Sequence, residues 1–161
     1  MTRPAALLFL AALALAAPRA FADPDDPTGP QPKLPTEQLT IIGDDGKSHV
    51  FSVELPVTEQ QQDTGEMFRT SIPPNAGMLF LQSQPQVWQM WMKNCPVPED
   101  MVFINANGTI ASIAEMTVPY SLKTISSGTP VLATLELQGG ITAADDINVG
   151  DRVIAKQFTG G

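Results

Sequence analysis

The residues best equipped for chemistry lie between Val87 and Asp100. Trp91 offers an aromatic plate, and Lys93 and Asn94 put an ammonium and an amide at its edge. Small-ligand sites use that combination, and sugars in particular favour it, because a ring stacks while polar groups bond its rim. On a regular strand Trp88, Met90 and Met92 share one face, while Val87, Gln89, Trp91, Lys93 and Cys95 share the other. The two tryptophans then cannot stack on each other, so one belongs to the core and the other lines a groove. A plainer assignment puts Trp91 in the core and has Asn94 fix a turn ahead of Pro96.

Arg69 and Asp100 are the next candidates. A partly buried carboxylate needs a donor, and a guanidinium offers a planar fork. In the functional version Arg69 holds a ligand carboxylate or phosphate, with Asp100 and Asn94 orienting it; in the structural version Arg69 and Asp100 pair with each other. Both versions place the two residues near Trp91. Cys95 has Lys93 close by to lower its thiol pKa, but the single histidine, His49, falls in a different hairpin. A small, half-buried side chain accounts for Cys95 without catalysis. The pairs Asp44-Asp45 and Asp145-Asp146 lack the spaced oxygen ligands of a calcium loop. Met67, Met78, Met90, Met92, Met101 and Met116 suggest Cu(I), yet they fall largely on expected core strands, where methionine is ordinary filler. No metal or other cofactor is assigned.

Positioning such side chains requires a scaffold, and from Leu39 onward the punctuation is that of β structure. Segments 39–42 and 49–55 flank Gly43-Asp44-Asp45-Gly46 and predict a hairpin with Phe51, Val53 and Leu55 inward. Thr58 and Gln61 fit a capping box that opens a short helix to about Met67. Apolar runs follow at 77–81 and 87–92. Segments 101–104 and 109–116 surround Asn105-Ala106-Asn107-Gly108, a turn signal that also explains the acceptor-like triplet Asn107-Gly108-Thr109. Segment 131–137 alternates and stops at Gly139-Gly140, 142–147 makes one helical turn capped by Thr142, and 152–158 is the last strand. The expected fold is mainly β: one compact antiparallel barrel or sandwich-like domain of about seven to eight short strands with one short helix.

Ahead of this domain, Arg3 precedes an apolar stretch at 5–17, followed by Pro18-Arg19-Ala20-Phe21-Ala22. That is the pattern of a secretory signal peptide, residues 1–22, with cleavage after Ala22. The apolar stretch is too short for the roughly 20 residues of a spanning helix, and no cysteine follows it for lipid attachment. The protein is therefore expected in the periplasm or outside the cell, with no integral membrane segment after cleavage. Residues 23–37 read as a flexible, solvated linker, since five of the thirteen residues from Asp23 to Pro35 are proline; residues 38–159 form the β domain. Removing the signal takes away Arg3 and Arg19 and no acid, which moves the formal charge from −8 to −10. That balance argues against nucleic acid and anionic membrane surfaces. A single cysteine excludes an internal disulfide.

The order of blocks in the middle of the chain is specific. Gly65-Glu66-Met67-Phe68-Arg69, Gly77-Met78-Leu79-Phe80, Trp91-Met92-Lys93-Asn94 and Pro98-Glu99-Asp100-Met101, then Pro119, Leu135-Glu136-Leu137 and Gly150-Asp151-Arg152-Val153, resemble the DUF192 (UPF0127) family of small, often exported bacterial and archaeal proteins. The likeness runs roughly from Val50 to Ile154 and implies a predominantly antiparallel one-domain β fold with no established activity. Three positions depart from the family pattern: Glu66 where leucine is usual, Cys95 where threonine is usual and Glu99 where leucine is usual. If those positions shape a pocket, its chemistry is more acidic here and softer.

The preferred reading is a binding or accessory module with a polar and aromatic site of Arg69, Trp91, Lys93, Asn94 and Asp100, used on a small molecule, a glycan or an envelope protein. The alternatives are a hydrolase of envelope saccharide, with Asp100 and another acid such as Glu136 as its carboxylate pair, and a purely structural envelope protein.

Overall fold

The computed structural model describes residues 26–158, so the expected signal peptide at 1–22 lies outside the described residues. Among the described residues seven strands are formed: β1 (Thr36–Ile42), β2 (Ser48–Glu54), β3 (Ala76–Met90), β4 (Glu99–Ile104), β5 (Ile110–Ala114), β6 (Ile125–Gln138) and β7 (Arg152–Ile154). Two short helices, α1 (Glu59–Thr64) and α2 (Ile141–Ala144), complete the set. The strands make one sheet in the order β5-β4-β6-β3-β2-β1-β7, curled into a half-barrel. Its two edges meet where Thr109 bridges Arg152 and where Val153 N donates to Gly108 O. The mainly β expectation holds, with two refinements: the sheet is mixed, and there is a second short helix.

The mixed character has a simple cause. β1 and β2 are joined by a tight turn and pair antiparallel, with Leu39 opposite Phe51. β2 and β3 are joined by residues 55–75 and pair in parallel, Ser52 opposite Ala76, because parallel neighbours need a crossover. Within that crossover Thr58 and Gln61 form the expected capping box of α1, and Gly65, at φ 47°, stops the helix before Met67. The crossover lies over the outer face of the sheet, with Gly65 packed close to the Phe80 ring.

Two apolar clusters result. The inner one gathers Leu39, Ile41, Phe51, Val53, Leu79, Val102, Leu135 and Val153. The outer one, beneath the crossover, gathers Met67, Met92, Cys95, Met101, Phe103 and Val131. Most of the methionines considered for copper are core filler: Met67, Met78, Met92 and Met101 are buried, whereas Met116 is exposed.

Other local expectations shift. The runs at 77–81 and 87–90 belong to a single strand, β3, interrupted by register shifts between Leu81 and Gln86 and between Val87 and Gln89 against β6, and the strand ends at Met90, before Trp91 and Met92. In the β4–β5 turn only Gly108 has positive φ, while the Asn107 side chain accepts from Thr109 N and Oγ1. Thr142 does not cap α2; Gly140 stands at that position and Thr142 lies inside the helix. The last expected strand ends at Ile154 and continues as a turn of 3-10 helix, Lys156–Phe158.

The proline-rich segment is extended, as its composition requires, but it is laid on the domain rather than free in solvent. Leu34 is buried and its N–H donates to Glu54 Oε2 at 2.7 Å, while Gln31 Nε2 donates to Gln61 O and Gly65 O. Proline removes backbone donors, so side chains and Leu34 do the anchoring.

Gly77 marks the tightest approach between β3 and β6: a Cβ there would stand 2.4 Å from Glu136 O. Gly77→Ala is expected to cost about 2 kcal/mol in urea denaturation through forced separation of the two strands. Unchanged stability would mean that the ladder yields more easily than its register implies.

Candidate functional site

Register decides which acids share a face. Glu54 of β2 pairs with Met78 of β3, Met78 with Glu136 of β6, and Glu136 with Met101 of β4. Partners across a ladder point the same way, so these four form a row on the outer face. Glu99 lies two residues before Met101 and faces the same way. The crossover then lowers Glu66 and Arg69 onto this row.

Arg69 makes a fork to Glu54, with Nη1 2.7 Å from Oε1 and Nη2 2.9 Å from Oε2. Its Nε stands 3.2 Å from Glu66 Oε2, a charge contact without hydrogen-bond alignment. Burial opposes the ionisation of Glu54, yet Arg69 and the Leu34 amide hold its pKa below the ordinary value. The remaining acids have no such support. Burial pushes Glu66 up to about 7, with Arg69 opposing and Glu54 adding. Burial, followed by repulsion from Glu66, pushes Glu99 up to about 8. Glu136 is raised well above the carboxylate range by burial and by Glu99 and Glu66. Burial and the neighbouring Glu99 also raise the Cys95 thiol, so it is not a thiolate nucleophile. Both Glu99 carboxylate oxygens and Glu66 Oε2 are buried without a hydrogen bond.

Over this cluster opens a cleft of about 670 Å³, with Glu66, Cys95 and Glu136 at its base and Trp88, Trp91 and Lys93 on its sides. Trp88 meets Phe80 edge to face at 6.4 Å. Lys93 Nζ sits 5.3 Å from the Trp91 ring centre and bonds the Asp26 carboxylate of the N-terminal segment. A second recess, of about 500 Å³, lies on the far side of Glu66 and is lined by Glu54, Arg69 and Lys33 among others. Glu66 therefore borders both.

The residues proposed from sequence separate into three groups. Trp91, which is 49% exposed, and Lys93 are brought together at the cleft. Arg69 is adjacent but turned to Glu54 and Glu66, so the expected ion pair with Asp100 does not form. Asn94 adopts φ 57°, its carbonyl accepts from Phe68 N, and its amide reaches Met67 Sδ at 3.8 Å, all of which makes it a turn residue. Asp100 is paired with Leu137 on the opposite face of the sheet, where its carboxylate accepts from Met116 N, Gly140 N, Thr142 N and Thr142 Oγ1. An Asp100–Glu136 catalytic pair is accordingly ruled out by the one-residue offset. The acid that neighbours Glu136 is Glu99. Among the described residues no group of His, Cys, Asp and Glu is arranged to hold a metal ion, and no helix is long and apolar enough to cross a membrane.

The chain matches the DUF192 family, described as uncharacterized ACR, over residues 40–155. It belongs to the DUF192 family. Among solved structures, this DUF192 chain is similar to a protein of Sinorhizobium meliloti 1021 proposed to be a transcription regulator, at 36% identity and TM-score 0.76, covering 79% of this chain and 98% of that one. It is similar also to a protein of unknown function from Novosphingobium aromaticivorans DSM 12444, at 36% identity and TM-score 0.73, covering 76% and 86% respectively. No curated protein matches. The three residues that depart from the DUF192 pattern, Glu66, Cys95 and Glu99, meet around Glu136 in a single cluster. The sequence marks the three as departures that could shape one pocket; the register and the crossover are what bring them together with Glu136.

Proposed function

We propose that this DUF192 protein is an exported binding or accessory module, periplasmic or extracellular, that takes a small ligand in the cleft between Trp88, Trp91 and Lys93. The observation that carries the reading is the base of that cleft, where Glu66 Oε2 is buried without a hydrogen bond. Unsatisfied buried polar atoms are costly and are kept at sites of use. Aromatic side walls with a few polar groups beneath are the usual make-up of a ligand pocket. Export rests on the signal pattern at residues 1–22. The Sinorhizobium protein's regulatory description does not suggest a nucleic-acid surface here, because Lys47, Arg69, Lys93 and Lys156 are each paired with an acid and the chain is strongly acidic.

The test is intrinsic tryptophan fluorescence during a screen of envelope saccharides, peptidoglycan fragments, organic anions and amines. A saturable change that is lost in Trp91→Phe while circular dichroism stays unchanged is the expected result. No response to any ligand class would remove the reading and leave a structural role. One observation favours a hydrolytic version: a carboxyl held at about 7, as Glu66 is, is protonated near neutral pH, as a general acid must be. Product formation from a bound saccharide that is lost in Glu66→Gln would establish that version.

A further inference from the structure

The chemistry of the cleft specifies the charge of its occupant. We propose that the cleft binds an organic cation, a primary or quaternary ammonium with an aliphatic body, whose charge is received by Glu66 and Glu136 and whose carbon chain lies against Trp88 and Trp91. This rests on the ligand-binding reading above and deepens it.

Four acids line the cleft, Asp26, Asp63, Glu66 and Glu136, against one base, Lys93, and that base is already neutralised by Asp26. Glu66 and Glu136 are almost wholly buried, 3% and 4% exposed. Glu66 Oε2 accepts no hydrogen bond, and Glu136 lines the same base beside it. An anion brought to this base would meet three carboxyl groups with only Arg69 behind them, and Arg69 is already held by its fork to Glu54 and its contact with Glu66. The aromatic walls add a second preference, since the face of an indole attracts a cation. The protein shows this attraction within itself: the Lys93 ammonium lies over the Trp91 ring.

Occupation by a cation has a proton consequence. The groups facing the cluster are Glu54 on β2, Glu66 and Arg69 on the crossover, Cys95 on the loop after β3, Glu99 on β4 and Glu136 on β6, with only Arg69 positive. An ammonium at Glu66 favours the ionised carboxylate, so the carboxyl proton passes to solvent as the ligand binds. Because protons compete with the cation for Glu66, affinity rises with pH, about tenfold per unit below about 7, and levels off above. Glu99, behind Glu66 and Glu136, is set to take up part of the proton redistribution.

The experiment is isothermal titration of the full chain with putrescine, spermidine and choline, in buffers of different ionisation enthalpy at pH 6, 7 and 8, alongside 1,4-butanediol, a neutral saccharide and succinate. The expected result is binding of at least one cation, release of up to one proton per ligand at pH 6, tighter binding at pH 8 than at pH 6, and a loss of about tenfold or more in both Glu66→Gln and Glu136→Gln. The glutamine variants keep shape and remove charge, so a folded variant that still binds equally overturns the proposal. Binding of the saccharide or succinate with none of the amines overturns it while leaving the ligand-binding reading intact. Silence with every compound overturns both.

Discussion

Asp100→Ala is expected to destabilise the domain by about 3–5 kcal/mol, the largest effect of any single substitution considered, with no specific effect on the cleft. Asp100 is fully buried, and each of its oxygens is used twice: Oδ1 accepts from Met116 N at 2.8 Å and Gly140 N at 2.9 Å, Oδ2 from Thr142 N at 2.9 Å and Thr142 Oγ1 at 2.7 Å. Met116 and Gly140 have φ of 48° and 84°, so the carboxylate fixes two left-handed residues on separate loops and the first turn of α2. Alanine would leave three N–H groups, that of Thr142 fully buried, and a buried hydroxyl without their acceptor. Asp100→Asn should lose less, about 2 kcal/mol, because one oxygen survives while the new amide opposes the Thr142 donors. Urea denaturation gives the magnitude, and hydrogen exchange locates it: protection should fall first at Met116, Gly140 and Thr142. If instead Asp100→Ala were as stable as the parent and had lost ligand binding, Asp100 would be a binding residue and its assignment as a clamp would be wrong.

Asp100 also shows how far a sequence reaches on its own. Its importance was legible, because an acid within an apolar strand must have partners. The identity of those partners was not, because they come from Gly140 and Thr142, some forty residues later, and from a loop of irregular backbone. The hairpin of β1 and β2 and the capping box of α1 were legible for the opposite reason: both are local patterns, one of period two and one of spacing three. The parallel pairing of β2 with β3 was hidden by the strength of the hairpin signals around it. Yet it follows from the length of the segment between them, and it is what carries Glu66 and Arg69 across the outer face. Trp91 and Lys93 were legible because an aromatic and a cation two residues apart announce a rim. The buried acids at its base were each visible as an oddity, but nothing in the spacing of residues 66, 99 and 136 says that they converge. The choice of Asp100 over Glu99 as the partner of Glu136 shows the sensitivity involved: in a strand, one residue is the difference between a clamp inside the barrel and a group in the cluster.

That cluster makes the second large prediction. Glu66 and Glu99 are raised in the folded protein from 4.5 to about 7 and about 8, so the folded state binds more protons than the unfolded chain. Stability from this source is fully present below about pH 4.5 and is lost as pH rises towards the folded values. The protein is thus expected to become less stable from pH 5 to pH 8, by about 2–4 kcal/mol after allowance for the coupling between the two groups. Glu54 runs the other way: its lowered pKa, set by Arg69 against the opposing effect of burial, contributes stability that is lost in acid, below pH 4.5. A stability maximum near pH 5 follows. Glu99→Leu, which fills the same position without a charge, should flatten the alkaline limb and gain about 2–3 kcal/mol at pH 8, while changing little at pH 5. Denaturant midpoints for parent and variant across pH 4 to 9 test both statements, and a parent whose stability is level or rising between pH 5 and pH 8 would sink them. The gain has a cost if the cleft takes a cation, because Glu99→Leu removes the neighbour that helps to hold the proton on Glu136. A variant that is more stable yet binds amines with a flatter pH profile would show that the unfavourable cluster is retained for use rather than for folding.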